Sequence, residues 1–289
     1  MEKDKVWLIT GSSRGLGRAI SEVALKKGYK VVATARRLES IGDLVEQNPE
    51  NSCAVRLDVT NQAEIKAAVD AAIARFGRID VLVNNAGYGL LGAVEEPSEE
   101  QIRSQFETNL FGAVKMMRAV LPKMRIRRSG HIVNISSVLG FVSRASAGYY
   151  SATKFALEAL SESLAEETAG LGIRVTIVEP GPFRTDFAGR SLQLPAGLLP
   201  EVYPTTRAII NYMSEVNGRQ EGDPYKAADV IIRAVESDSP PLRLPLGATA
   251  FARIEEKLSS VLSGIEPWLD AAVKTDFDEE KSTSIGVRH

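Results

Sequence analysis

The string GYYSATK at residues 148–154 places two phenols ahead of an ammonium. Residues i and i+4 share one face of a helix, so Tyr150 and Lys154 point at a common site, whereas Tyr149 is rotated about 100° away. A phenol titrates near ~10 in water, too high to exchange protons readily near neutrality. A neighbouring ammonium stabilises the phenolate, and each unit of lowering is worth about 1.4 kcal/mol. The pair is therefore a candidate for general acid–base chemistry, in which Lys154 tunes Tyr150.

A second constellation lies near the start, where KVWLIT at 5–10 runs into TGSSRGLGRAI. Gly11, Gly15 and Gly17 let the backbone turn tightly and approach a pyrophosphate whose charge meets the N-terminus of the following helix. Ser13, Arg14 and Leu16 belong to the same loop and are assigned with Gly11 and Gly15 to cofactor contact. The next strand ends in ATARRLES, with Ala35 where an acid would grip the ribose of NAD, followed by Arg36 and Arg37. Two guanidiniums without a carboxylate suit a 2′-phosphate, and Arg14 could approach the same group. The expected cofactor is NADP(H). Asp58 and Val59, in LDVT, are placed at the adenine, although Asp58 could equally cap the next helix. Asn85, Ala86 and Gly87, in NNAG, are placed at the carboxyl edge of the sheet, where ligands of such folds bind. Asn84 is read as a tie between strands.

The elements that must hold these groups follow from hydrophobic pattern. Short, nearly continuous apolar runs at 5–10, 30–35, 53–59, 79–84, 131–136 and 173–180 read as strands buried on both faces. Helical patterns at 15–27, 61–75, 98–124 and 150–169 separate them. This alternation predicts an α/β fold, a doubly wound parallel sheet covered by helices on both sides. After Pro180 the rhythm changes: 181–225 is rich in Pro and Gly with one helix near 205–216, and a helix at 225–237, an apolar LRLPLG at 242–247 and a helix near 249–262 follow. The expectation is one domain over 1–289, with a cofactor-binding and catalytic core at 1–185 and a substrate lid and C-terminal extension at 186–289. The acidic tail after Asp276 is expected to be mobile.

Composition narrows the partners. The 289 residues are 44% hydrophobic and 25% charged with net charge −2, which favours neither a nucleic acid nor an anionic membrane. The basic KMRIRR at 123–128 reads as a solvated helix end. Cys53 is the single cysteine and His131 and His289 are the two histidines, so neither a disulfide within the chain nor a metal site is expected. With no apolar signal core at its start and no run of ~18 apolar residues, the protein is expected to be cytoplasmic.

TGSSRGLG (10–17), NNAG (84–87), NISS (134–137), YSATK (150–154) and PG (180–181), in this order, resemble the short-chain dehydrogenases/reductases over roughly residues 5 to 190. The resemblance implies a Rossmann-type fold and hydride transfer between NAD(P) and a carbonyl or alcohol. It selects Tyr150 as the catalytic tyrosine and makes Ser137 the serine that holds the substrate oxygen. It also makes Lys154 a ligand of the nicotinamide ribose, with Tyr150 beside the ring. Asn109, in TNLFG, matches an asparagine that holds a proton-relaying water, against the alternative of a buried, satisfied amide. Pro180 and Gly181 shape a turn, and Thr185 matches a threonine at the nicotinamide carboxamide, against the alternative of a helix N-cap. Homodimers or homotetramers through the helices at 98–124 and 150–169 are implied as well.

The candidate substrate pocket comprises Gly89, Leu90, Leu139, Phe141, Val142, Arg144, Phe187, Leu192, Leu194, Leu198 and Tyr203. Their mostly apolar character favours a hydrophobic ketone, aldehyde or secondary alcohol. The opening VWLITGSSRGLG and VVATARR resemble the branch that includes 17β-hydroxysteroid and retinol dehydrogenases. An NADP-dependent carbonyl reductase is the expected activity. NAD-dependent alcohol oxidation is the alternative, disfavoured by Arg36 and Arg37. A non-catalytic NADP-sensing module is disfavoured by the presence of Ser137, Tyr150 and Lys154 together.

Overall fold

The computed structural model describes residues 4–277. Its elements run β1 (Val6–Ile9), α1 (Gly15–Lys26), β2 (Lys30–Ala35), α2 (Gly42–Gln47), β3 (Ser52–Arg56), α3 (Gln62–Phe76), β4 (Val81–Asn84), β5 (Gly89–Leu90), α4 (Glu99–Phe106), α5 (Gly112–Arg127), β6 (Gly130–Ile135) and α6 (Gly148–Thr168). The chain continues through β7 (Ile173–Pro180), β8 (Leu192–Gln193), α7 (Pro204–Glu215), α8 (Pro224–Glu236), β9 (Arg243–Leu246), α9 (Ala248–Ile265) and α10 (Leu269–Val273). The acidic tail expected to be mobile lies almost wholly outside the described residues.

Seven parallel strands form one sheet in the order β3-β2-β1-β4-β6-β7-β9. The direction of winding reverses between β1 and β4, which opens a crevice at their carboxyl ends. Both faces are covered, as the unbroken apolar runs require. Trp7 and Ile9 of β1 pack with α1 and α8 in one core, while Val6 and Leu8 pack with α3 and α5 in the other. The sixth strand of the expected set is joined by a seventh, since LRLPLG enters the sheet as β9 beside β7. The C-terminal part therefore shares the core with the rest of the chain. The helix expected over 98–124 is divided: α4 and α5 are joined by a π-helical turn at Glu107–Phe111. Short β5 and β8 pair into a separate two-stranded ribbon.

Polar side chains tie the layers where strands are wholly buried. Asn84 Nδ2 donates to Asn134 Oδ1 across β4 and β6 (2.8 Å), and Asn134 Nδ2 donates to Ser161 Oγ on α6 (2.8 Å). Asn84 is thus the strand tie its position suggested. His131 Nε2 lies 2.9 Å from Thr176 Oγ1 of β7, and burial pushes its pKa down to about 3, so it is a neutral hydrogen-bonding group. The basic end of α5 is not merely solvated, because Arg127 Nη2 reaches Asp80 Oδ1 at 2.8 Å.

One cluster joins β7, β9 and α6. Arg243 of β9 donates to Glu179 of β7 and, at 2.7 Å each, to Glu158 Oε2 and Glu162 Oε1 of α6. Glu158 and Glu179 are buried. Burial, and then the charge of Glu158, push the Glu179 carboxyl from 4.5 up to about 7. A carboxyl that holds its proton more tightly when folded stabilises the fold fully below the unfolded pKa and loses that contribution as pH rises through the folded one. Urea denaturation should therefore show wild type losing about 3 kcal/mol from this group between about pH 4.5 and about pH 8. The Glu179→Gln variant should lack that component.

Candidate active site

The first turn of the crevice is built around Thr10. Its hydroxyl donates to Val83 O (3.2 Å) and accepts from the amides of Asn85 (2.9 Å) and Ala86 (3.0 Å). Asn85 Nδ2 returns to Thr10 O (2.9 Å) and Gly11 O (3.1 Å), locking the NNAG turn against the glycine loop. Gly11 has φ +72°, a conformation that glycine adopts without strain. A Cβ at Gly17 would overlap Asn85 Nδ2 and Gly11 O, so the helix can start this close to the turn only with glycine there.

Almost every residue expected to touch cofactor borders one cavity of about 1170 Å³ at the carboxyl edge: Gly11, Ser13, Arg14, Gly15, Leu16, Arg36, Asp58, Val59, Asn85, Ala86, Gly87, Pro180, Gly181 and Thr185, with Tyr150 and Lys154. Arg37 is outside it. Together with Ser13, Arg14, Ala35, Arg36, Ser40 and Arg190, it lines an adjoining cleft of about 320 Å³. Four guanidiniums around one small cleft, with Arg36 and Arg37 exposed, suit a dianion. Arg190 was not anticipated. It comes from the segment after β7, and both it (2.5 Å) and Arg14 (3.2 Å) bind Asp186 Oδ2, which fastens that segment over the glycine loop.

Asp58 does not cap α3. That role belongs to Asn61, whose side chain accepts from the amides of Ala63 and Glu64. Burial works to raise the Asp58 carboxyl, but the Thr60 amide and hydroxyl, with Arg36 and Arg56 nearby, hold it below the usual range. Thr185 does cap a short turn, Asp186–Ala188, accepting from Phe187 N at 3.4 Å. It also packs on the loop, since a Cβ at Gly15 would lie 3.5 Å from Thr185 Cβ.

Tyr150, Lys154 and Ser137 converge at the other end of this cavity. Tyr150 is buried beside Phe187, with ring centroids 5.5 Å apart, and its hydroxyl is within hydrogen-bond reach of Ser137. Tyr149 turns away and donates to Val94 O at 2.8 Å. Ser136 is likewise excluded, because its hydroxyl donates to Glu158 Oε1 at 2.5 Å. Lys154 Nζ lies 5.9 Å from the Tyr150 ring centroid and donates to Ile135 O at 2.7 Å. Burial lowers Lys154 to about 8, opposed by the charge of Glu158. Burial also pushes Tyr150 up to about 12, opposed by Ser137. The Tyr150 phenol therefore lies above its ordinary value and not below it as expected from an adjacent ammonium, because burial dominates and the Lys154 amine is turned to Ile135 O.

Asn109 stands in the π-helical turn, not on the cavity wall. Its Oδ1 accepts from Tyr88 N (3.0 Å), and its Nδ2 donates to Tyr88 O (2.9 Å) and Thr153 Oγ1 (3.3 Å). Its side chain is spent on the backbone beside Gly87, where an added Cβ would meet both Asn109 Oδ1 (3.1 Å) and Lys154 Nζ (3.8 Å).

The substrate end differs from expectation. Leu139, Arg144 and Phe187 border the cavity, but Gly89, Leu90, Phe141, Val142, Leu192, Leu194, Leu198 and Tyr203 do not. The β5–β8 ribbon draws Leu192 and Leu198 into a small core with Leu91 and Ile210. Phe141 lies under Arg243, and Tyr203 bonds Glu95. In their place stand Tyr212, Met213 and Val216 of the α7 region, Arg219, Glu221, and Thr249 and Arg253 on one face of α9. The rest of α9 and α10 is exposed from Glu255 onward, including Leu262 and Trp268. Among the described residues no helix is long and apolar enough to cross a membrane.

The family model for short chain dehydrogenases matches residues 5–193. Retinol dehydrogenase 8 of Bos taurus is 36% identical over 82% of this chain and 79% of its own. A short-chain dehydrogenase from Streptomyces avermitilis has a solved structure with TM-score 0.89 and 44% identity, covering 95% of this chain and 100% of that one. A further solved structure, a short chain dehydrogenase from Burkholderia cenocepacia in complex with NADP, has TM-score 0.69 and 27% identity over 96% of this chain and 100% of its own.

Thr10→Val keeps the shape but leaves two amides without an acceptor. It should lower unfolding free energy in urea by about 2 kcal/mol.

Proposed function

The chain belongs to the short chain dehydrogenase family, and we propose that it is an NADP-dependent oxidoreductase that reduces the carbonyl of a hydrophobic ketone or aldehyde. The observation that carries this reading is the convergence of Tyr150, Lys154 and Ser137 on one cavity whose far end opens beside four arginines. The residues present fit a dinucleotide. Gly11, Gly15 and Gly87 border the cavity without a side chain, and the basic cleft beyond β2 offers donors without a carboxylate from that strand's end. Arg36 and Arg37 would hold the 2′-phosphate, with Arg14 and Arg190 beside them. Asp58 and Val59 would face the adenine, and Thr185 with Pro180 and Gly181 the nicotinamide end. These arginines favour NADP over NAD, and so reduction over alcohol oxidation.

Bound NADPH would supply the hydride. Ser137 and Tyr150 hydroxyls bind the carbonyl oxygen, and Tyr150, a neutral phenol at neutral pH, releases its proton to that oxygen as negative charge develops there. Lys154 orients the cofactor ribose and offsets the phenolate left behind. Asn109 fixes the Tyr88 turn next to Lys154 and so positions the amine. Exposed Phe111, Phe155 and Leu160 on the π-helical turn and α6 support pairing of copies through these helices.

Two variants test the reading. Tyr150→Phe should lower kcat about a thousandfold or more while NADPH affinity, read by fluorescence titration, is unchanged. Arg36→Ala should weaken NADPH by about tenfold or more and leave NADH nearly unaffected. Equal losses for both cofactors would move the phosphate to Arg37 or Arg14.

A further inference from the structure

Among the described residues, two half-buried guanidiniums at the substrate end of the cavity have no ion-pair or hydrogen-bond partner, and neither does the exposed Arg219 nearby. Arg144 lies in the loop between β6 and α6, seven residues beyond Ser137, and Arg253 lies on α9. Both border the same cavity as Tyr150. They are brought together because α9 packs against the Val138–Gly140 turn and because Gly181 lets the start of α9 approach, an added Cβ there falling 3.3 Å from Ala250 N. Both side chains are half-buried, and among the described residues neither makes an ion pair or a side-chain hydrogen bond. Burial, then the charge of Arg253, lowers the Arg144 guanidinium, opposed by Tyr212.

Acids also border the cavity; some are ion-paired elsewhere, while Glu100 and Glu221 are exposed and neither makes an ion pair among the described residues. Glu221 accepts from Thr249 Oγ1 at 2.5 Å and is exposed. Asp186 is held by Arg14 and Arg190, Glu99 by Arg103, and Glu107 by Lys115. Two like charges kept half out of water without a counter-ion oppose folding, and an incoming anion would relieve both the repulsion and the unmet hydrogen bonding. Guanidiniums are suited to this because their planar fork matches an oxyanion.

We infer that Arg144 and Arg253 bind an oxyanion carried by the substrate, a carboxylate or phosphate remote from the reacting carbonyl. The substrate is then amphiphilic: its carbonyl meets Ser137 and Tyr150, its apolar body lies along Leu139, Phe187, Met213 and Val216, and its charged end meets the arginines. This deepens the carbonyl-reductase reading and rests on it.

The test is calorimetric titration of the protein saturated with NADPH, using octanoate, octyl phosphate and uncharged 1-octanol. At least one anion should bind about tenfold or more tightly than octanol, and the better of the two names the oxyanion. Arg144→Gln and Arg253→Gln should each reduce that anion's affinity about fivefold or more, leaving octanol and NADPH affinities unchanged. Octanol binding as tightly as both anions would overturn the inference, as would a preference for anions that persists in the double variant. Should NADPH itself not bind, the hydride-transfer reading fails, and the same titrations of the cofactor-free protein still decide whether the arginines form an anion site.

Discussion

A buried ammonium is the constraint around which α6 and the strand ends beside it are arranged. Lys154 is 5% exposed, and removing its charge from water is costly unless something answers it. Ile135 O answers at 2.7 Å, and Glu158, one helical turn further along α6, supplies the opposite charge. Glu158 is itself buried and must be answered in turn, by the Ser136 hydroxyl and by Arg243. Arg243 then reaches Glu179 and Glu162. The sequence of obligations runs from α6 through the end of β6 to β7 and β9. Gly140 belongs to it as well, since any Cβ there would overlap Glu158 Oε1 and Ser136 Oγ. Ser137 is held where it can meet Tyr150 partly because its neighbour Ser136 is fastened behind it.

The same accounting separates the two ends of the crevice. Arginines that end in carboxylates, such as Arg243 and Arg127, are structural. Arg36 and Arg37 at one end, and Arg144 and Arg253 at the other, border open space without a carboxylate partner among the described residues. On the proposed reading, cations left unanswered at both ends of the cavity are the groups that would receive anions there. Asp186 shows the contrast: it binds Arg14 and Arg190 together and so links the glycine loop to the segment after β7.

Much of the fold was legible because buried parallel strands announce themselves as unbroken apolar runs. Six strands lie where those runs stand. The seventh, β9, was read only as an apolar stretch because Pro245 interrupts it and four residues give too little pattern. Tyr150 and Lys154 were legible from spacing, since a helix converts four residues into one face, whereas Ser137 came from the family resemblance. Glu158 had the same signal, four residues beyond Lys154, but the meaning of a carboxylate there depends on Arg243, eighty-five positions away. Thr10 and Asn85 lay inside the recognised strings, although their mutual locking is visible only in three dimensions. The pocket residues failed most often. A leucine in a loop can line a cavity or fill a small core, and only the pairing of β5 with β8 decides that Leu192 and Leu198 do the latter.

The proton affinities bear on direction. Tyr150, pushed up to about 12, keeps its proton near neutral pH, and Lys154, lowered to about 8, stays mostly charged there. Both shifts have burial as their largest cause, and burial disfavours whichever form of each group is charged. A neutral phenol in such a place is ready to donate. For Tyr150 to act as a base instead, its phenolate would need more positive charge than Lys154 alone provides, since the amine is turned toward Ile135 O. The positive ring of an oxidised nicotinamide is one source of that charge, and the reduced ring carries none. On the proposed reading, the burial that keeps the Tyr150 phenol neutral suits it to donate a proton to a carbonyl, and an oxidised nicotinamide would supply the positive charge that a phenolate there needs.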